Sequence, residues 1–154
     1  MTARPPTAGR ARTGPSADLL ARLVTAARSA RDRAYAPYSK YCVGAAIAVK
    51  SGAIFTGANV ENASYGACLC AERSAVAQMV AAGERRPIAC AVATGGPRPG
   101  SPCGICRQVL REFARDMPIV LAAEHAGRLT TRATTLAKLL PDAFEAAALR
   151  KARR

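Results

Sequence analysis

The sequence has no apolar run long enough to span a bilayer, and no apolar stretch near its start that could serve as a secretory signal. The first residues carry arginines and no acidic group, as transit peptides do. Three prolines and the absence of an amphipathic stripe argue against that interpretation. We therefore expect a disordered basic tail over residues 1–16 and a cytoplasmic protein.

Acidic residues are scarce, because only 10 Asp and Glu stand beside 23 Lys and Arg, which gives a formal charge of +13. Such a charge can indicate a nucleic-acid partner. Seven of the positive charges, however, fall near the two ends, and the others form no basic stripe interleaved with aromatic residues. We expect a solvated basic surface and no nucleic-acid partner. A zinc-stabilised nucleic-acid-binding module remains the alternative from another class of protein.

Histidine is almost absent: the one copy, His125, has no ligand spacing around it, and we expect it in a loop. The chain does have six cysteines, and without a secretion signal these favour metal or thiol chemistry over disulfides. With 154 residues, half of them hydrophobic, the chain is long enough for one domain with its own core.

Apolar periodicity and turn residues predict alternating helices and strands. We expect helices over 17–35, 70–82, 103–116 and 134–141, and strands over 42–50, 53–60, 87–94 and 118–123. This order predicts an α/β fold with helices on both faces of one sheet, and the early hairpin makes that sheet mixed. We expect the domain to occupy residues 17–145, followed by a basic C-terminal helix or tail over 146–154.

Three cysteines stand where two predicted helices begin. Cys103 and Cys106 are three residues apart and share one helix face, while Cys70 begins the earlier helix. A helix N-terminus lowers the pKa of a thiol and favours the thiolate that binds metal. Three sulfur ligands leave the fourth tetrahedral position of a zinc ion open, which is typical of a catalytic site.

A closed structural site is the competing interpretation, with Cys68 as a fourth sulfur ligand. Three observations weigh against it. Glu72 lies beside the site, where a closed site has no use for a carboxylate. Arg73 follows and can offset the charge of three thiolates. Cys68 would also have to reach the ion from the same short loop as Cys70.

These segments carry a family resemblance. "CAE" at 70–72 and "PCGIC" at 102–106 fit the signature of zinc deaminases. With "YAPYSKYCVGAA" (35–46), "GANVENASYG" (57–66), "CAER" (70–73), "PCGICRQ" (102–108) and "LLPDAF" (139–144), the chain resembles the small homotetrameric cytidine deaminases of pyrimidine salvage. The resemblance covers about residues 17–145. It implies a three-layer α/β/α sandwich with a mixed sheet of about five strands.

The resemblance also implies an activity. Cytidine and 2′-deoxycytidine would lose ammonia to give the uridines, by zinc-bound hydroxide and a glutamate proton shuttle. One Zn²⁺ per chain would be held by Cys70, Cys103 and Cys106, and Glu72 would be the shuttle. The partners implied are a nucleoside substrate and three further copies of the chain, with active sites shared between subunits, and no membrane.

Further residues carry over as substrate contacts. Asn59 and Glu61 would bind the ribose 3′-hydroxyl, the Ala71 N–H would meet the pyrimidine O2, and the Ser101 carbonyl would face the leaving amino group. The other three would reach a neighbouring subunit's substrate: Ala63, Tyr65 and Phe144.

Two departures from the family pattern concern the pocket. Tyr41 stands where the family usually has phenylalanine, which alters the pocket edge, and Cys68 falls at a variable position. An alternative within enzymes is a deaminase of a related aminopyrimidine nucleoside such as blasticidin S. Those deaminases share the zinc motifs but lack the "ENASY" segment that this chain has at 61–65.

Overall fold

A computed structural model of the chain describes residues 14–151. Residues 1–13 of the expected N-terminal tail and residues 152–154 of the C-terminal one lie outside this range. The elements are α1 (Ala17–Arg31), β1 (Val43–Val49), β2 (Ile54–Ala58), α2 (Ala71–Ala81), β3 (Pro87–Gly95), α3 (Gly104–Phe113), β4 (Pro118–His125), β5 (Arg128–Thr135), α4 (Leu136–Leu139) and α5 (Ala146–Lys151). No helix among the described residues is long and apolar enough to cross a membrane.

The strands form one five-stranded sheet in the order β2-β1-β3-β4-β5. The β1–β2 hairpin, the β1–β3 pair and the β4–β5 pair are antiparallel, whereas β3 and β4 run parallel. The chain joins this parallel pair through α3, because a parallel connection needs a crossover and cannot be a tight turn. The prediction of a mixed sheet of about five strands is confirmed.

Helices cover both faces of the sheet, which confirms the three-layer sandwich. On one face, buried residues of α1 pack on the alternate small residues of β1 and β3, with Leu23 and Ala27 against Ala46 and Ala91. On the other face, α2, α3 and α4 pack on the larger side chains that point the opposite way along β1, β3 and β4. The strands contribute Ile47, Val49, Val92 and Leu121, and the helices contribute Met79, Leu110 and Leu136. The alternation of side chains along a strand assigns each set to its face.

Two glycines set how closely the helices approach the sheet. A Cβ on Gly44 would lie 2.0 Å from the Ala27 carbonyl oxygen in α1. A Cβ on Gly57 would lie 2.4 Å from both the Ala71 carbonyl oxygen and the Ala75 nitrogen in α2. Each helix backbone therefore rests directly on a strand backbone, and Gly57 does this at the first turn of α2.

Three expectations about local structure were wrong. Helix α1 ends at Arg31 and not near residue 35, because the chain then turns to pair with another loop: the Tyr35 N–H donates to the Asn59 carbonyl at 3.0 Å. The apolar pattern did not reveal β5, since its residues are largely exposed and its alternation carries no hydrophobic signal. His125 is the exposed last residue of β4 and not a loop residue.

Candidate metal centre and active site

The sulfur atoms of Cys70, Cys103 and Cys106 all lie within 4.8 Å of one another, and the Cys70 and Cys103 sulfurs are 4.0 Å apart. Cys70 is the N-cap of α2 and Cys103 is the N-cap of α3, and neither uses its side chain to cap its helix. The two helices therefore bring their positive ends to one cluster of three sulfurs. A tetrahedral ion with zinc–sulfur bonds of about 2.3 Å needs sulfurs about 3.8 Å apart, so the cluster fits zinc.

Cys68 is not part of this cluster. Its sulfur accepts a hydrogen bond from the Asn62 N–H at 3.3 Å, and the thiol faces the Asn62 carbonyl oxygen at 3.7 Å. The sulfur thus satisfies the backbone of the loop before α2. The geometry favours an open three-sulfur centre over the closed four-sulfur one.

Glu72 lies in the first turn of α2, only 4 % exposed. Its Oε2 is 3.5 Å from the Cys106 sulfur. Burial raises the pKa of Glu72, because the charged carboxylate loses its hydration. A carboxyl group in this position can hold a proton at a pH where an exposed glutamate would have lost it.

Arg73 places a positive charge beside the sulfurs. Burial lowers the pKa of Arg73, but the hydrogen bond and charge of Cys70, with the charges of Cys106 and Cys103, more than offset this, so its pKa is raised. Its Nη2 donates to the Cys68 carbonyl at 2.6 Å, which fixes the guanidinium against the loop before α2. The arginine can thus offset the negative charge of a thiolate cluster.

A cavity of about 290 Å³ opens over the cluster. Such a volume lies at the lower end of small-molecule sites, which span about 300–1,000 Å³. Its walls hold seven of the residues that the sequence indicated for metal, proton transfer and substrate, one of which is the metal ligand Cys103. The other six are Asn59, Glu61, Cys70, Ala71, Glu72 and Ser101.

The two polar residues proposed for ribose line the same cavity as Cys70 and Cys103, and backbone groups hold their side chains. Both atoms of the Asn59 amide are bound, since Oδ1 accepts from the Val43 N–H at 2.8 Å and Nδ2 donates to the Tyr41 carbonyl at 2.9 Å. The second Nδ2 hydrogen stays available.

Glu61 is fixed in a similar way. Its Oε2 accepts from the Tyr38 and Ser39 N–H groups at 2.9 and 3.1 Å, and the Ser39 hydroxyl donates to Oε1. The hydroxyl hydrogen bond, followed by the backbone ones, holds the pKa of Glu61 below its usual value. This side chain is a fixed, charged acceptor rather than the ordinary loop acid that its position alone suggests.

Several cavity residues escaped the sequence analysis. Ser39 and Thr94 line the wall, and Gly100 precedes Ser101 there. Ser39 belongs to the "YSK" segment of a family motif, so the sequence offered a reason to assign it to the site. Thr94 lies in a buried strand, and no neighbouring residue indicated a role in the site. Tyr41, noted as a departure from the family, also lines the cavity.

The three residues expected to reach a neighbouring subunit stand outside this chain's cavity. Tyr65 is 76 % exposed and Phe144 is 60 % exposed, and Ala63 is exposed as well. Tyr65 lines an adjacent hollow of about 380 Å³ that shares Ser39 and Glu61 with the cavity. The Phe144 carbonyl accepts from the Gln108 side chain at 2.8 Å, which fixes the start of the C-terminal segment on α3.

A zinc centre of three thiolates with a buried carboxylate beside it, on a three-layer sandwich, defines the zinc-dependent deaminase class. The family model described as "cytidine and deoxycytidylate deaminase zinc-binding region" matches residues 18–123. The chain belongs to this family. Cys70, Cys103 and Cys106 are accordingly positioned for the zinc ion of the family.

Relatives in several bacteria support the assignment. Cytidine deaminase of Sporosarcina psychrophila is 43% identical over 123 residues, covering 80% of this chain and 89% of that protein. The crystal structure of cytidine deaminase from Burkholderia pseudomallei is 46% identical with a TM-score of 0.74, covering 80% of this chain and 98% of that one. The enzyme from Mycobacterium tuberculosis has a TM-score of 0.67 at 40% identity, covering 82% and 97%.

Proposed function

We propose that this chain hydrolyses cytidine and 2′-deoxycytidine to uridine and 2′-deoxyuridine and releases ammonia. The observation that carries the proposal is the cavity itself. A buried carboxyl group, a fixed pair of polar groups and two cysteines of the three-sulfur centre line one space. Relatives that cover most of the chain bear the name cytidine deaminase.

Cys70, Cys103 and Cys106 would hold the zinc ion, which when bound would supply a water activated as a nucleophile near neutral pH. Glu72 takes the proton of that water and delivers it to N3 of the pyrimidine, so that C4 accepts the oxygen. It then takes the proton of the new C4 hydroxyl and gives it to the amino group, the C4–N bond breaks, and ammonia leaves. One carboxyl group serves as base and then as acid, and burial, which raises the pKa of Glu72, lowers the cost of its protonated form.

Asn59 and Glu61 account for the nucleoside in this proposal. Their side chains are fixed by the backbone before substrate arrives, so little conformational entropy is lost on binding. A ribose hydroxyl can donate to the Glu61 carboxylate and accept from the free Nδ2 hydrogen of Asn59. Free cytosine offers no hydroxyl to Glu61 or Asn59, so it would make neither of these hydrogen bonds and would be held less firmly in position.

On the base side, the proposal assigns the Ala71 N–H to the pyrimidine O2 and the Ser101 carbonyl to the leaving amino group. As the first residue of α2, Ala71 has an N–H without an intrahelical acceptor. Arg73 serves as the counter-charge of the thiolates.

We further propose a homotetramer with shared sites, in the cytoplasm and in pyrimidine salvage. Its support is a set of large side chains left exposed near the cavity, among them Tyr35, Tyr38 and Tyr65, and the exposure of Phe144. Ala63, Tyr65 and Phe144 would then contact a neighbour's substrate. The catalytic domain would occupy residues 17–145, with 146–154 as a basic C-terminal helix or tail.

An ultraviolet assay of the purified protein tests the activity against cytidine, 2′-deoxycytidine, cytosine and cytidine 5′-monophosphate. We expect turnover of the two nucleosides, activity on cytosine lower by about one to two powers of ten, and refusal of the monophosphate, since no Gly-rich phosphate cradle is present. Glu61→Ala should lower activity on cytidine far more than on cytosine.

Two outcomes would contradict the proposal. Turnover of blasticidin S but not of cytidine would indicate the alternative nucleoside deaminase. Tight salt-sensitive nucleic-acid binding with no ammonia release from any nucleoside would indicate the binding module. A sizing measurement accompanies the assay, and an active monomer would overturn the shared sites.

A further inference from the structure

We propose that Thr94 is a positioning residue that holds the Gly100–Ser101 segment in place beside the leaving amino group. This inference rests on the proposed deamination, because it concerns the segment whose carbonyl would face that group. The side chain of Thr94 is not itself assigned to the substrate. It acts through the backbone of the two residues that follow the loop.

The hydroxyl of Thr94 joins two parts of the structure. Thr94 is 2 % exposed near the end of β3, and its Oγ1 donates to the Ala122 carbonyl in β4 at 3.4 Å while accepting from the Gly100 N–H at 3.1 Å. One hydroxyl thus connects the central parallel pair of strands to the residue before Ser101. A partly buried backbone N–H that loses its acceptor is left less well satisfied, so this hydrogen bond helps to fix the segment.

The backbone of Thr94 is anchored as well. Its carbonyl accepts from Arg31 Nη1 at 3.0 Å. The same guanidinium lies 3.3 Å from Glu124, which is also paired with Arg28 at 2.9 Å. Thr94 is therefore held from α1 and from the sheet, and the loop rests on a fixed support.

The space around Gly100 is filled. A Cβ at that position would lie 2.7 Å from the Tyr41 hydroxyl oxygen and 2.9 Å from Cγ2 of Thr94. The segment therefore has little room to shift toward Tyr41 or Thr94. From the other side, Arg107 contacts the same stretch, with Nη2 3.2 Å from the Ser101 hydroxyl and Nε 2.7 Å from the Pro102 carbonyl.

Removal of the hydroxyl should displace Ser101. In Thr94→Val a methyl group stands where the oxygen accepts from Gly100, and 3.1 Å is shorter than the usual contact distance of about 3.5 Å or more. The segment must move away. The required shift is about 0.4 Å, the difference between 3.1 Å and about 3.5 Å. Since misplacement on the order of 1 Å can cost about 10²-fold in rate, we expect kcat on cytidine to fall roughly 5- to 10-fold.

The experiment compares Thr94→Val with Thr94→Ser, which keeps the hydroxyl, and with Thr56→Val, a control on β2 that lies outside the cavity. Zinc content and melting temperature establish that each variant folds. For each we measure kcat and KM on cytidine, the inhibition constant of uridine, and hydrogen exchange over residues 95–101. Uridine has no amino group at C4, so its binding reports on the rest of the pocket.

Three results together support the proposal: a loss of kcat in Thr94→Val alone, a uridine inhibition constant within about threefold of wild type, and faster exchange at Gly100. Full kcat in Thr94→Val, an equal loss in Thr94→Ser, or a parallel weakening of uridine binding would overturn it. If the wild-type protein does not deaminate cytidine, the proposed function fails. The hydrogen exchange at Gly100 then tests the Thr94 proposal by itself. Equal exchange rates in Thr94→Val and wild type would overturn that proposal.

Discussion

Gly57→Ala provides a direct test of how the sheet supports the active site. The added Cβ would lie 2.4 Å from the Ala71 oxygen and the Ala75 nitrogen, whereas ordinary contact begins at 3.4 Å. Helix α2 must therefore move by about 1 Å, since 3.4 − 2.4 = 1.0. Overpacking of this kind costs about 1–3 kcal/mol. For a chain of this size that lowers the melting temperature by roughly 2–12 °C.

The consequence for activity is larger, because the first turn of α2 carries Glu72 and follows Cys70 directly. A shift of about 1 Å should lower kcat/KM on cytidine roughly 100-fold, beyond what the loss of stability explains at 25 °C. The assays are calorimetry, metal analysis and ultraviolet turnover on the same preparation.

Gly44→Ala is the matched control, since its Cβ would be 2.0 Å from the Ala27 oxygen in α1 on the opposite face. We expect it to be destabilised at least as much, but to lose at least tenfold less activity than Gly57→Ala. A Gly57→Ala protein with the wild-type melting temperature and turnover would refute the close approach. Equal activity losses in the two variants would refute the idea that the contact between Gly57 and α2 specifically positions the active site.

Four further predictions follow from the site and its surroundings. Glu72→Gln should fold and keep zinc but lose about 10²–10⁴-fold in turnover, and activity within tenfold of wild type would place the proton shuttle elsewhere. Cys68→Ser should retain one zinc per chain by metal analysis, whereas loss of the metal would restore the four-sulfur site. Deletion of residues 1–14 should leave catalysis nearly unchanged. Salt-sensitive DNA binding by the full chain that disappears on deletion would show that the tail has a function of its own. The Arg28 hydrogen bond holds the pKa of Glu124 below its usual value, so Glu124→Gln should lower the melting temperature at neutral pH. The difference in melting temperature between wild type and Glu124→Gln should vanish as acid protonates the wild-type carboxylate. If the two proteins melted at the same temperature at neutral pH as well, the ion pair would not stabilise the fold.

Local signals in the chain were sufficient for most of the elements. The helix positions of Cys70 and Cys103 followed from apolar periodicity, and the structure places both at N-caps. The central strands were equally clear as short apolar runs. Strand β5 was missed because its side chains are largely exposed in the single chain, so that no apolar pattern marks it.

The metal ligands and the carboxylate between them could be proposed from spacing and chemistry, because ligand and proton carrier are two residues apart and share one helix turn. The family motifs added Asn59 and Glu61. The hydrogen bonds that hold these two side chains could not be predicted. Glu61, for example, accepts from backbone groups of residues 38 and 39, more than twenty positions earlier in the chain.

The local elements and the chemical groups of the site could be predicted from the chain alone, since periodicity, capping and ligand spacing act over a few residues. Which distant groups meet depends on the folded structure. It turned Cys68 toward the Asn62 backbone and away from the other sulfurs, and it placed the hydroxyl of Thr94 under Gly100. The physical reason is that such contacts depend on how helices and strands pack across the sheet, and no neighbour in the chain specifies that packing.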